Sequence, residues 1–334
     1  IGKYAFYRNQ RLESFGEIGG VTAIEEGTFL GCVLISAVKI REGTRYVGAY
    51  AFAECPALAE VTLPDTVSTV GEYAFSGCVS MSTFHIPSAL TSLGTGAFTD
   101  CLLSSVSVGT GNTVYSLDDG NLYTDGGRTL VLYLQADKTE TSYETGTETT
   151  ILEGAFANNT NLTSIVIGDG VTTIERGALG GAVNLQSLTV PYLGDGGQNL
   201  FLAYIFGAET ALSNGSAGVY VPASLESLTI TSSVSEVPAY AFYGCTGLKE
   251  ISGLENATAY GDYAFAYTGL ETFSVPASVQ TVGDNAFAGC SALTAIEVAE
   301  GNATYASFDG CLYEEGLETL LLVPMNKTEI SFSP

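Results

Sequence analysis

The sequence is poor in the side chains that catalytic and nucleic-acid-binding sites most often use. It contains one histidine, His85, no tryptophan, and 11 lysines and arginines against 36 aspartates and glutamates. The resulting formal net charge of −25 repels phosphate backbones and anionic lipid, so nucleic acid and a membrane surface are poor partners. A lone histidine offers no nucleophile–base pair, and we predict that the chain is not an enzyme and has no catalytic residues.

Several motifs that would indicate a cofactor or a membrane span are also missing. No apolar run reaches the roughly 18 residues of a membrane helix, and no C-x-x-C pair occurs among the seven cysteines. Asp118, Asp119 and Asp125 do not have the spacing of a calcium loop. The glycines at 194–197 are not followed by the residues of a phosphate loop. We therefore predict no metal, no cofactor and no membrane insertion in this segment.

A repeated unit dominates what is present. The stretch 47–69 and the stretch 70–92 that directly follows it share one pattern, G-x-x-A-F-x-x-C followed by L-x-x-I-x-I and P-x-x-V. Self-similarity at such a fixed period indicates a solenoid, in which each coil buries its apolar face only against its neighbours. The A-F segment has helical spacing and predicts a short helical or 3₁₀ turn, whereas the alternating L-x-x-I-x-I segment predicts a strand.

The expected fold is therefore an α/β solenoid: a right-handed array of ~23-residue coils with one parallel β-sheet on one side and short helical turns on the other. We predict a single array over residues 1–334, acting as a monomer. Its core is expected to hold a column of aromatic marker residues and a column of cysteines three positions later. These are Phe6, Phe29, Phe52, Phe75, Phe98, Phe156, Phe242, Phe265 and Phe287, with Cys32, Cys55, Cys78, Cys101, Cys245 and Cys290.

The cysteine column has two interpretations. In-register cysteines could form a metal or disulfide ladder, or they could be buried free thiols that fill space. The odd total, and the Asn or Thr found at the same position in other coils, favour buried free thiols.

Three stretches depart from the repeat, at about 109–150, 191–224 and 299–334. The first and third share a block of alternating apolar residues around Asp-Gly, which predicts a hairpin. The second contains an apolar stretch from Leu200 to Phe206 with no apparent position in the repeat pattern. We expect this second insert to bulge from one side of the solenoid.

The combined pattern G-x-x-A-F-x-x-C-x-x-L-x-x-I-x-I-P-x-x-V resembles the BspA-type leucine-rich repeat of bacterial cell-surface proteins. The resemblance covers essentially the whole chain. It implies a leucine-rich-repeat solenoid, often secreted or attached to the cell wall, that takes part in adhesion. It transfers no catalytic residues. Because the chain begins and ends in mid-pattern, we interpret it as a fragment of a longer extracellular protein.

Three functions follow as hypotheses. The first is a surface interaction module that binds a host or microbial protein or glycan; the second is a passive spacer that displays another domain. The third is an enzyme on a parallel β-helix that acts on polysaccharides, which the scarcity of His, Lys and Arg disfavours. For the first, polar positions on the open strand face together with the second insert are the expected binding residues. These are Ser164, Ser187, Thr189, Leu200, Phe201, Tyr204 and Phe206.

Overall fold

The computed structural model describes residues 1–14, 16–134, 141–157 and 159–332. The chain divides into two compact units, the first comprising residues 1–139, 147–159 and 177–182, and the second residues 140–146, 160–176 and 183–334. Each unit is built from successive coils whose strands pair in parallel with those of the next coil. The single array over 1–334 and its right-handed sense stay predictions.

The strands are short and numerous. In chain order they are β1 (Ala23–Ile24), β2 (Ala37–Lys39), β3 (Tyr46–Val47), β4 (Glu60–Thr62), β5 (Thr69–Val70), β6 (Thr83–Ile86), β7 (Ser92–Leu93), β8 (Ser105–Val108), β9 (Ser116–Asp118), β10 (Asn121–Thr124), β11 (Thr129–Leu132), β12 (Ser142–Glu144), β13 (Thr150–Ile151), β14 (Ser164–Val166), β15 (Thr173–Ile174), β16 (Ser187–Val190), β17 (Ser227–Ile230), β18 (Glu236–Val237), β19 (Glu250–Ser252), β20 (Ala259–Tyr260), β21 (Thr272–Val275), β22 (Thr281–Val282), β23 (Ala295–Val298), β24 (Tyr305–Phe308), β25 (Cys311–Glu314) and β26 (Leu320–Leu322). Three 3₁₀ helices complete the described elements: η1 (Asp125–Gly127), η2 (Leu202–Phe206) and η3 (Ala211–Asn214).

The prediction of one parallel sheet is wrong in detail. In the first unit the L-x-x-I-x-I strands pair as β2–β4 and β6–β8, while two-residue strands form a separate ladder, β1–β3–β5–β7. The two-residue strands end the P-x-x-V segment, which the sequence suggested was only a turn. They pair because Val47 and Val70 are fully buried in register, and this brings the backbones of adjacent coils within hydrogen-bond distance.

The A-F segments are not helices. The residues two before and two after the marker have positive φ, as at Tyr50 and Glu54 around Phe52. Alternate backbone N–H groups therefore donate to the next coil, from Tyr50 to Glu72, Phe52 to Ala74 and Glu54 to Ser76, at 2.8–2.9 Å. The groups between them close turns within the coil. A helix would direct every N–H along its own axis, so the left-handed residues convert this side of the coil into a third ladder.

The marker residues form the centre of each unit. Phe52 and Phe75 are fully buried and stack with their ring centroids 5.5 Å apart and their planes 1° from parallel. In the second unit Phe242, Phe265 and Phe287 repeat the arrangement at 5.5 and 5.0 Å. Fully burying a phenylalanine contributes about 1.5–3 kcal/mol, so this column is a major source of stability between coils.

Two further markers lie in the stretches that seemed to break the repeat. The backbone N–H of Phe52 donates to the Ala74 carbonyl, which directly precedes the marker of the next coil. Equivalent bonds run from the N–H of Tyr133 to the Ala155 carbonyl at 2.7 Å and from the N–H of Leu202 to the Ala241 carbonyl at 2.9 Å. Tyr133 lies one repeat length before Phe156, and Leu202 lies one repeat length after Leu179. Leu202 is fully buried, so the apolar stretch does have a position in the coil.

The inserts are therefore narrower than the sequence suggested. The marker spacing exceeds one repeat length only from Phe98 to Tyr133 and from Leu202 to Phe242. The extra residues between Phe98 and Tyr133 form the antiparallel β9–β10 hairpin, and β10 also pairs antiparallel with β11. The extra residues between Leu202 and Phe242 include η3. Near the end of the chain, β24, β25 and β26 pair antiparallel, as the Asp-Gly block predicts.

Candidate functional site

The exposed face of the longer strands carries a row of serines in the second unit. Ser142, Ser164, Ser187 and Ser227 are direct partners across β12, β14, β16 and β17. Thr189 and Thr229 form a parallel row two residues further along the same strands. Since neighbouring strands lie about 4.8 Å apart, the serine hydroxyls repeat at that spacing. The structure thus places Ser164, Ser187 and Thr189 on one pair of neighbouring strands.

Among the described residues, hydrogen-bonded pairing between successive longer strands is interrupted at a place in each unit that is beside a cavity. In the first unit β4 and β6 belong to different sheets, and a cavity of about 410 Å³ lies over them, lined by Thr62, Thr83 and His85 among others. In the second unit β19 and β21 likewise belong to different sheets, beside a cavity of about 560 Å³ lined by Ile251 and Phe273. At these openings the strand face is a groove rather than a flat sheet.

The apolar residues of the second insert do not join the serine row. Phe201 and Phe206 are 8% and 4% exposed, so both pack inside the coil that Leu202 anchors. Leu200 and Tyr204 are half-buried. Tyr204 lies in η2, in the marker column, whereas Ser187 and Thr189 lie in the strand ladder. The predicted joint site therefore separates into two columns of the coil.

Tyr204 has a polar environment of its own. Its ring contacts Phe201 edge-on at 6.0 Å, and burial, followed by the nearby charge of Asp195, raises its pKa. Arg176 forms an ion pair with Glu209 at 3.3 Å, and both side chains are at least one-third exposed. An exposed pair of this kind contributes little to stability.

The cysteine column consists of buried free thiols that donate hydrogen bonds. The Sγ atoms of Cys55, Cys78 and Cys101 lie 3.1–3.2 Å from the carbonyl oxygen of the marker phenylalanine in the preceding coil. Burial raises the pKa of Cys55 and of Cys101 to about 12. The thiols therefore stay protonated and unreactive at neutral pH, and they satisfy a buried carbonyl as well as filling space.

Each insert is anchored to a coil by one asparagine. The Asn214 side-chain amide donates to the Tyr243 carbonyl at 2.9 Å and accepts from the backbone N–H groups of Tyr220 and Val221. Asn112 and Asn302 have the same dual role at the two hairpin blocks. In the sequence the shared N-x-x-Y of the two blocks was visible, but the role of its asparagine was not.

A column of tyrosines occupies left-handed positions of the coil. Five tyrosines lie two residues before a marker, and each has φ between 52° and 61°. In several other coils this position is glycine, as at Gly27 and Gly96, and before Phe287 it is Asn285 with φ 56°. An L-residue there costs about 1–2 kcal/mol. The five are Tyr4, Tyr50, Tyr73, Tyr240 and Tyr263.

The described residues hold neither a metal-binding cluster nor a membrane-spanning helix. Among residues 1–14, 16–134, 141–157 and 159–332, no three side chains of His, Cys, Asp and Glu come close enough to share a metal ion. In that part of the chain no helix has the length and apolar character needed to cross a bilayer.

The coil geometry agrees with a match to one protein family. The family model described as the BspA type leucine rich repeat region matches in six copies, over residues 1–120, 139–203 and 216–331. The chain belongs to the BspA-type leucine-rich repeat family. The match breaks within the first hairpin block and just after Leu202, where the extra residues lie. The family is one of repeats, and no catalytic family is indicated.

Solved structures share the fold. A leucine rich cell surface protein from Faecalibacterium prausnitzii is 27% identical, with a TM-score of 0.63 over 90% of this chain and 69% of that one. A leucine-rich repeat protein from Eubacterium ventriosum is 21% identical, with a TM-score of 0.59 over 81% of each chain. The second likeness shows the fold alone. No curated protein matches the chain.

Proposed function

We propose that the chain is a non-enzymatic interaction module of a bacterial cell surface that binds a protein or glycan through its strand face. Membership of the BspA-type family supports a protein-interaction or structural role, and the similar F. prausnitzii structure is of a cell surface protein. The more specific claim of binding by the strand face depends on the arrangement of its own side chains.

The in-register serine row carries this proposal. Four short hydroxyl side chains, each able to donate and accept, project in line from β12, β14, β16 and β17. No large side chain interrupts the row, so an extended polymer has access to successive hydroxyls. Of the residues predicted from the sequence, the proposal retains Ser164, Ser187 and Thr189, and it assigns Phe201 and Phe206 to packing.

The test compares one added cation on the strand face with the same cation elsewhere. Ser187→Arg places a long charged side chain in the middle of the row, whereas Val183→Arg places it at a position that is 55% exposed and outside the strands. Both variants and the native chain are measured against a glycan array and a panel of immobilised matrix proteins, with circular dichroism as the folding control.

We expect Ser187→Arg to lose at least tenfold in affinity for whichever partner the native chain binds, and Val183→Arg to bind normally. Equal binding by both folded variants would show that the strand face is not the site. A native chain that binds nothing on either panel would favour the alternative role, a passive spacer that displays another domain.

A further inference from the structure

Four tyrosines form one aromatic surface on the marker side of the second unit. Tyr240 and Tyr263 stack with ring centroids 5.3 Å apart and planes 3° from parallel. Tyr243 meets Tyr240 edge-on at 5.6 Å and Tyr267 at 5.4 Å. All four are partly exposed, and we call them the tyrosine surface.

The coil does not require these rings. Tyr240, Tyr263 and Tyr267 have φ of 61°, 55° and 58°, and glycine occupies the same two positions of the coil elsewhere, as at Gly27 and Gly31. The backbone strain of about 1–2 kcal/mol per tyrosine is comparable with the roughly 0.5–1.5 kcal/mol that an aromatic pair gains. The two contributions nearly cancel, so ring stacking adds little net stability at these positions.

The surroundings of the tyrosine surface are acidic and almost without cations. Asp262 and Asp284, both exposed, directly precede Tyr263 and Asn285. Between Arg176 and Lys327 the sequence has a single Lys or Arg, Lys249, against 15 Asp and Glu. Lys249 forms an ion pair with Glu226 at 2.8 Å. A positively charged partner would thus meet no competing cation from the neighbouring coils.

The first unit shows how a cation occupies the equivalent position. The guanidinium carbon of Arg8 lies 5.2 Å from the ring centroid of Tyr7. Tyr7 directly follows marker Phe6, just as Tyr243 directly follows marker Phe242. In the second unit the residue after Tyr243 is Gly244, so the coil itself supplies no guanidinium to that ring.

We propose that the tyrosine surface is a docking site for an arginine-bearing segment of a basic protein. Arginine side chains of the partner would lie on the ring faces, as Arg8 lies on Tyr7, with Asp262 and Asp284 balancing their charge. Arginine fits better than lysine because its planar guanidinium stacks on an aromatic face and is more weakly hydrated. This interaction is independent of the serine row, which lies in a different column of the coil.

The test measures fluorescence anisotropy of a labelled peptide of alternating arginine and glycine, with a lysine–glycine peptide of the same length for comparison. The triple variant Tyr240→Gly/Tyr263→Gly/Tyr267→Gly removes three rings and leaves a residue that accepts the left-handed backbone. The matched control, Tyr4→Gly/Tyr50→Gly/Tyr73→Gly, removes three tyrosines from left-handed positions of the first unit.

We expect the native chain to bind the arginine peptide more tightly than the lysine peptide. The triple variant should lose about tenfold in affinity for the arginine peptide, because each exposed cation–π contact contributes modestly and three are removed. The control variant should stay within about twofold of the native affinity. Should the triple variant unfold, Asp262→Asn/Asp284→Asn keeps every ring and should still weaken binding at low salt.

Three results would overturn the proposal. They are equal affinity for the arginine and lysine peptides, an equal loss in the control variant, and binding of an uncharged glycan instead of the peptide by the same four tyrosines.

Discussion

The left-handed position before the marker carries tyrosines in both units, but the surroundings of these tyrosines differ. In the first, Tyr4 and Tyr50 are 44% and 40% exposed, while the Tyr73 hydroxyl donates to Glu153 at 2.7 Å and its ring covers Gly96 of the next coil. In the second, Tyr240 stacks on Tyr263, and with Tyr243 and Tyr267 they form the tyrosine surface. A tyrosine with the same left-handed φ thus occurs in both units, and the second unit differs in that four of its rings contact one another in a single cluster.

The largest expected loss of stability comes from removing one ring of the marker column, which both units contain. Phe75→Ala should lower the free energy of unfolding by about 3–5 kcal/mol, because the ring is fully buried between Phe52 and Phe98 and leaves a cavity. Urea denaturation measures the change. Phe75→Leu, which keeps most of the volume, is the control and should cost less than about 1.5 kcal/mol. An unchanged midpoint in Phe75→Ala would mean that the stacked rings do not hold the coils together.

A smaller loss of stability is expected when the asparagine that anchors an insert is replaced, compared with an asparagine in a coil without an insert. Asn214→Asp replaces the amide that donates to the Tyr243 carbonyl with a group that only accepts. It should therefore cost about 1–3 kcal/mol, the penalty for a buried polar group without a partner. Asn184 donates a single bond from an exposed position, so Asn184→Asp should change stability by less. Equal effects at both positions would contradict the anchoring role of Asn214.

The smallest expected change in stability concerns a tyrosine at the left-handed position of the first unit. Tyr50→Gly removes a ring that stacks on Tyr73 at 5.3 Å but also relieves the left-handed backbone at φ 54°. The two contributions nearly cancel, so the change in unfolding free energy should stay within about 1 kcal/mol. Tyr50→Ala loses the ring without relieving the backbone and should be less stable than Tyr50→Gly. The reverse order in thermal melts would show that strain at this position is unimportant.

The repeat period predicted the markers and the cysteine column, because the phenylalanines and cysteines recur once per repeat with the same neighbours. It missed Leu202, which follows Phe201 rather than alanine and precedes the extra residues that shift the next marker to Phe242. The two-residue strands were also missed, since no alternation is visible in so short a segment.

The candidate site was only partly predictable, for a similar reason. Ser164, Ser187 and Thr189 follow from strand period and from the register between their two coils, which are one repeat length apart. Phe201 and Phe206 are buried because Leu202 fills the marker position, and this depends on tertiary packing rather than on a local sequence pattern. The recurrence of tyrosine two residues before the marker is visible in the sequence, but the clustering of four rings depends on positive φ and on contacts between coils, which the sequence does not show.

The central claim, that the tyrosine surface of the second unit and not the tyrosine column of the first is an arginine-docking site, is tested most directly by hydroxyl-radical footprinting of tyrosine side chains. The full chain is labelled with and without the arginine–glycine peptide, and oxidation is read residue by residue. The account predicts that the peptide protects Tyr240, Tyr243, Tyr263 and Tyr267 and leaves Tyr50 and Tyr73 unchanged. Protection of both sets alike, or of Tyr50 and Tyr73 alone, would contradict it.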